Sequence, residues 1–217
     1  GAILHYNGSQ WAESISGTTE TFKSVFGSGP NDVWTVGFKG VIRHFSGKTW
    51  SVVPVAAITQ SLDHVFGSSQ NDVWAVGKAG SIVHWDGKSW GTAPSGTTND
   101  LHGVSGSGPS NLWVCGDKGT LLHYTGTAWE PVQSGMTGNL NAMFALDAQD
   151  IWAVGEKGST LHYDGKSWTP AQTGVDASLH AVFGFDRKDI WAGGEQSTIV
   201  RYNGAAWAEA TYDVPQP

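Results

Sequence analysis

The sequence predicts an all-β chain of repeated four-stranded antiparallel units, and three observations predict it. A Trp recurs at positions 34, 74, 113, 152 and 191, spaced 40 and then 39 residues apart. Its context is nearly constant: Asn31-Asp32-Val33-Trp34, Asn71-Asp72-Val73-Trp74, Asn111-Leu112-Trp113, Asp150-Ile151-Trp152 and Asp189-Ile190-Trp191. A second Trp series at 11, 50, 90, 129, 168 and 207 keeps the same period and leaves only Trp85 outside both. Third, no stretch sustains a 3.6-residue apolar period, so essentially no helix is expected. A four-stranded unit of about 40 residues repeated this often is the signature of a β-propeller.

The elements follow in order within each unit. Leu62-Asp63-His64-Val65-Phe66-Gly67 is a short apolar run ended by Gly, the innermost strand. Asp72-Val73-Trp74-Ala75-Val76-Gly77 is the second, followed by Lys78-Ala79-Gly80 as a turn. Ser81-Ile82-Val83-His84-Trp85 is the third, closed by Asp86-Gly87, a dipeptide that accepts the positive φ of a tight hairpin. Trp90 opens a fourth, variable strand that leads through Ser95-Gly96-Thr97-Thr98 into the next unit. Short β-branched and aromatic runs between Gly, Asn and Asp turns pair into one antiparallel sheet.

The resulting repeats run about 22–61, 62–100, 101–139, 140–178 and 179–217, within a single domain 1–217. Residues 1–21 are left over. They hold Ile3-Leu4-His5-Tyr6-Asn7-Gly8-Ser9-Gln10-Trp11, a sixth copy of the third-and-fourth-strand half. Five blades are therefore expected, the alternative being six with one half-supplied blade whose other half comes from another chain or from further residues. The spare hairpin has an edge that seeks a partner, so a homo-oligomer through it is an expected property. The near-constant period is also compatible with a recently duplicated, cut or designed repeat array lacking a defined ligand.

Composition narrows the function classes. The chain has 217 residues, enough to bury a real core, with only 14% charged residues and a formal net charge of -7. An acidic, charge-poor chain argues against nucleic acid or an anionic membrane as partner, since both call for a basic patch. No run of 18 apolar residues is present, so no membrane insertion is expected, and the N-terminal residues lack the pattern of a signal peptide. The one cysteine, Cys115, excludes an intrachain disulfide and a cysteine-built zinc site, and reads as a buried inert thiol.

His84-Trp85-Asp86-Gly87-Lys88-Ser89-Trp90 and its copy His162-Tyr163-Asp164-Gly165-Lys166-Ser167-Trp168 resemble a shortened Asp-box hairpin, which decorates propellers such as sialidases and photosystem assembly factors. The wider NDVWAVG…GxIxHWDGKSW pattern is similar to tandem short-blade β-propeller repeats of secreted bacterial proteins, particularly myxobacterial ones, over almost the whole chain. Small propellers of the tachylectin-2 type are similar in architecture and bind amino sugars, one site per blade. What these resemblances imply is an extracellular, cell-surface or periplasmic protein and a carbohydrate-binding role.

The residues themselves offer no enzyme. A sialidase needs three arginines converging on a carboxylate, and Arg43, Arg187 and Arg201 stand on unrelated segments. His5, His44, His84, His123 and His162 share one third-strand position, filled by Arg201 in the last unit; a repeated site reads as structural, each imidazole bonding a neighbouring carboxylate or turn carbonyl and packing on a Trp. The Trp34 series likewise reads first as blade-to-blade packing and second as sugar stacking. More informative are Lys23, Asp63, His102, Asn141 and His180, one polar, variable residue per innermost strand, expected to ring one mouth of the central channel as a hydrated rim or a ligand site. Asp, His and Asn are metal-compatible types, but a ring holds them too far apart, so no metal and no cofactor is expected.

The second turns also vary in charge, through Lys39, Lys78, Asp117, Glu156 and Glu195. They should emerge on one face with the connections Ser14–Glu20, Val53–Ser61, Ala93–Asp100, Gln133–Asn139 and Ala171–Ser178. Variable loops on a rigid frame are where recognition usually sits. The expected function is a non-catalytic binding module, foremost a multivalent lectin for glycans with sites repeated between blades. The alternative is a protein-interaction or assembly scaffold that binds one partner once.

Overall fold

The computed structural model of the chain describes residues 1–55 and 58–210. The connection expected at Val53–Ser61 and the end of the last repeat therefore lie partly outside the described residues. Every described element is a strand or a three-residue 3-10 turn.

A two-stranded hairpin comes first, β1 (Ile3–Tyr6) and β2 (Trp11–Ser14). Five four-stranded sheets follow, each in simple chain order. They are β3 (Phe22–Gly29), β4 (Asp32–Gly37), β5 (Ile42–Phe45) and β6 (Trp50–Val52); β7 (Leu62–Ser69), β8 (Asp72–Gly77), β9 (Ile82–Trp85) and β10 (Trp90–Thr92); and β11 (Leu101–Gly108), β12 (Asn111–Gly116), β13 (Leu121–Tyr124) and β14 (Trp129–Val132). The last two are β15 (Leu140–Asp147), β16 (Asp150–Gly155), β17 (Ser159–Tyr163) and β18 (Trp168–Gln172), then β19 (Leu179–Asp186), β20 (Asp189–Gly194), β21 (Ile199–Tyr202) and β22 (Trp207–Glu209).

Six sheets, one of them half as wide as the rest, correct the expectation of five blades and match the alternative of six with one half-supplied. The reason is local. The last sheet owns its outer strand β22, so β1 and β2 have no blade to complete and, among the described residues, pair only with each other. The chain forms two compact units, Gly1–Val104 and a second beginning at Ser105.

Register explains the two Trp series. Trp34, Trp74, Trp113 and Trp152 stand directly opposite His44, His84, His123 and His162 on the third strand. Each pair stacks, with ring centroids 3.9–4.1 Å apart. The outer Trp of each unit faces an aromatic partner at the end of the third strand, as in Phe45↔Trp50, Trp85↔Trp90 and Tyr163↔Trp168. Trp85, outside both series, is therefore the aromatic of that partner position.

The seams between sheets are apolar. In the first unit Trp34, Val36 and Ile42 pack onto Leu62, Val65, Val73, Ala75 and Trp90 of the next sheet. In the second unit Trp113 packs with Leu140, Met143 and Ile151, and Trp152 with Leu179, Ile190 and Trp207. These inner Trp are 1–2% exposed, so they are seam residues and not an aromatic floor for a sugar. Cys115 lies in one such seam, fully buried.

The second turns all have one conformation. Lys39, Ala79, Lys118, Lys157 and Gln196 adopt φ of 52–55° and the next residue is again left-handed, a type I′ geometry closed by bonds such as Val41 N–H to Phe38 O at 3.1 Å. The following residue is Gly in four turns and Ser197 (φ 59°) in the fifth. At Gly158 a Cβ would meet Val175 O at 2.0 Å, so close backbone approach as well as positive φ selects glycine there.

Candidate functional site

The polar residues singled out on the innermost strands sit where those strands break register. Pairing of β3 with β4 skips Lys23, β7 with β8 skips Asp63, β15 with β16 skips Asn141 and β19 with β20 skips His180. A bulge leaves one residue outside the ladder and re-aims its side chain. This is why these positions vary within an otherwise strict repeat: their side chains serve neither the pairing nor the seam.

Within the first unit, three of the expected residues converge. Asp63 Oδ1 accepts from Lys23 Nζ at 2.7 Å, and its Oδ2 lies 3.6 Å from His102 Nδ1 and 3.8 Å from Lys78 Nζ. Lys78 also donates to Asp100 Oδ2 at 2.7 Å, while the backbone N–H of Ala79 donates to Asp100 Oδ1 at 2.8 Å. The bulge residues and the second turn thus form one cluster, and the strand connection ending at Asp100 anchors it. Burial pushes the Asp63 carboxyl up, but His102, Lys23 and Lys78 outweigh it and hold the group below its ordinary value. Lys78 and the Ala79 N–H do the same for Asp100. Lys39 pairs with Glu20 at 2.8 Å in the open, and Lys23 Nζ also lies 4.8 Å over the Phe38 ring.

Within the second unit the expected residues make separate bonds and form no single cluster. Asn141 Nδ2 donates to Leu179 O at 2.9 Å, and His180 Nε2 lies 3.4 Å from Glu195 Oε1 with both side chains exposed. Glu156 Oε2 accepts from Asn139 N–H, and Asn139 Oδ1 from the N–H of Lys118, next to Asp117. Among the described residues no group of three or more His, Cys, Asp or Glu has metal-binding geometry. At Asp63 the chemistry agrees, since two lysine ammoniums already occupy the carboxylate's surroundings.

The repeated histidines hold structural bonds. Asp32, Asp72 and Asp150 take His44, His84 and His162 at 2.6–2.8 Å, and Asn111 takes His123 at 2.7 Å. In the last unit Arg201 replaces histidine, bonding Asp189 at 2.6 Å and lying 5.3 Å over Trp191. Each arginine is committed to its own neighbours: Arg187 to Asp147 at 2.6 Å, and buried Arg43 to the carbonyls of Ser16, Gly17 and Ile42.

Two features were missed by reasoning from residue types. His64, half-buried on β7 next to Asp63, accepts the Val104 N–H at its Nδ1, and desolvation holds its pKa below the ordinary histidine value. Arg43 ties the N-terminal connection to the first full sheet. Its signal was available, because the other third strands carry Val83, Leu122, Leu161 and Val200 there.

No protein-family model matches the chain, and no curated protein does. Solved structures match its shape. The structure of YCF48 bound to D1 peptide superposes with a TM-score of 0.74 at 16% identity, covering 96% of this chain and 74% of that one. YCF48 from Cyanidioschyzon merolae gives 0.72 at 17% identity over 94% and 76%. The WD40 repeats of RRP9 give 0.74 at 12% identity over 89% and 63%. The fold is that of a β-propeller. At such identities the propeller likeness carries the fold and leaves the site to its own residues.

Proposed function

We propose that this propeller is a non-catalytic protein-binding module that takes one partner segment at the Lys23–Asp63–His102–Lys78 face. The observation that carries this reading is the cluster itself: a largely buried Asp63 ringed by charged groups from a bulge, a second turn and the next strand, serving neither sheet pairing nor the seams. The similar YCF48 structure holds a bound peptide, which supports a peptide as the ligand class. A repeated sugar site loses its stacking surface because Trp34, Trp74, Trp113 and Trp152 are buried, leaving only Trp191 of that series half-buried. The resemblance of the repeats to those of secreted bacterial proteins supports a setting outside the cytoplasm.

The test is an array of short peptides of mixed charge, run beside a glycan array, with hits titrated by calorimetry. The expected result is one peptide site per chain, weakened about tenfold or more by Lys23→Ala with Lys78→Ala, in line with loss of paired interfacial charges. Glycan binding at several equivalent sites, or peptide binding indifferent to both lysines, overturns it.

A further inference from the structure

The half-width sheet at the N-terminus carries a second and different site. In the complete sheets, the strand in β1's position is paired on both sides, as β5 is with β4 and β6. Among the described residues β1 is paired only with β2, leaving the other edge of Ile3–Tyr6 open. Beside that edge lies a cleft of about 760 Å³ lined by Ile3, Leu4, His5, Val25, Phe45 and Trp50 among others. Leu4 and Val25 on its walls are 62% and 67% exposed, whereas Val65, the counterpart of Val25 one sheet on, is 2% exposed. The difference is the neighbouring sheet: Val65 is covered by the strand pair carrying Trp34, and Val25 has no such pair over it.

The side chains around the cleft specify what would cover it. Elsewhere the second-strand Trp of one sheet seats against two aromatics of the next. Trp34 lies 5.1 and 5.3 Å from Trp85 and Trp90, and Trp113 lies 4.9 and 5.2 Å from Tyr163 and Trp168. Trp152 repeats this at 4.9 and 5.3 Å from Tyr202 and Trp207. Phe45 and Trp50, 5.4 Å apart, are the equivalent pair and face the cleft, with Trp50 Nε1 held by Ser14 Oγ at 3.1 Å. His5 occupies the position at which other repeats bond a carboxylate or amide and stack on that same Trp; among the described residues it is exposed and has neither partner. An apolar pair of strands with a Trp for Phe45, Trp50 and His5, and an Asp two residues earlier for His5, satisfies every one of these groups.

We infer that this edge and cleft dock a β-hairpin from outside residues 1–217 whose second strand reads Asp-x-Trp, the pattern of β4 and β8. Main-chain bonds to the open edge supply affinity, and the Trp and Asp supply selectivity. A second folded copy is not the occupant, because all five strands at that position are already flanked by two others in their own sheets. This site meets the peptide-binding face at Lys23, goes beyond it and does not depend on it.

The test titrates the full chain with a synthetic peptide of residues 62–79, which holds the β7–β8 hairpin sequence. Saturable one-to-one binding is expected, about tenfold or more weaker for peptides carrying Trp74→Ala or Asp72→Ala and for the chain carrying His5→Ala. Because a free hairpin must be ordered on binding, a second measurement places residues 62–79 directly ahead of Gly1, raising the effective concentration to the millimolar range. The melting temperature should then exceed that of the same fusion with Trp74→Ala in the added copy by about 5 °C or more, the size of a ~2 kcal/mol gain in a chain this long. Equal binding by the Trp74→Ala peptide, no difference between the two fusions, or self-association of the unaltered chain through His5 overturns the inference.

Discussion

One aspartate, Asp150 on β16, makes three contacts at once. It is buried, accepts from Trp152 Nε1 at 2.9 Å and His162 Nε2 at 2.8 Å, and lies 3.9 Å from Arg187 Nε. Removing it strands a buried indole N–H and an imidazole, so Asp150→Ala should cost about 2–3 kcal/mol in urea unfolding. Asp150→Asn should cost less, about 1 kcal/mol, because Asn111 already holds His123 at 2.7 Å, though the Trp113 indole N–H beside it has no partner among the described residues. Equal losses for the two variants would show that the acceptor is not what matters. The histidine and aspartate positions were legible in the repeat, since both recur at fixed offsets from Trp. His64 was not legible, because its role comes from a bond to Val104, 40 residues away, which no spacing on one strand reveals.

At the scale of the element, the hairpins follow their turn chemistry. Asp86 and Asp164 take two backbone N–H groups each at 2.8–2.9 Å, the local bond that makes this dipeptide a turn former. The second turns pose a sharper case. Ser197 sits at a positive φ where four sister turns use glycine, so Ser197→Gly should raise stability by about 0.5–1 kcal/mol, the strain relieved less the extra unfolded-state freedom. A thermal melt checks it, and a fall in midpoint would mean the hydroxyl contributes more than the backbone relief. The seams give a paired prediction. Val65→Ala should cost about 1–3 kcal/mol, and Val25→Ala, at the same repeat position, under about 0.5 kcal/mol. Both numbers come from one denaturation series, and similar losses would contradict the open wall of the cleft.

For the whole molecule, many small electrostatic preferences add up to one pH profile. Burial disfavours the charged forms of His64 and His123 and lowers both from 6.5. Asp63, Asp72, Asp86, Asp100, Asp147, Asp164 and Asp189 are all held below 3.8, by lysine, arginine, histidine or backbone donors. A depressed folded-state pKa contributes stability that is present above the ordinary value and lost as pH falls through the folded one. Urea midpoints should therefore be level above pH 6.5, decline gently below it and drop steeply below 3.8. His64→Gln should flatten part of the first limb, and a stability maximum near pH 4 would refute this account. The amino-acid sequence by itself determined the strands, their turns, the period and the identity of the seam residues, because all of these depend on alternation and turn chemistry within some 40 residues. Its count of six outer halves against five inner ones even held the open sheet as an alternative. Only the tertiary structure decided that β1 and β2 stand alone, that Lys23, Asp63, His102 and Lys78 meet, and that Val25 is bare where Val65 is covered. Those outcomes depend on which strand lies beside which across separate repeats, and identical local sequences carry no record of their neighbours.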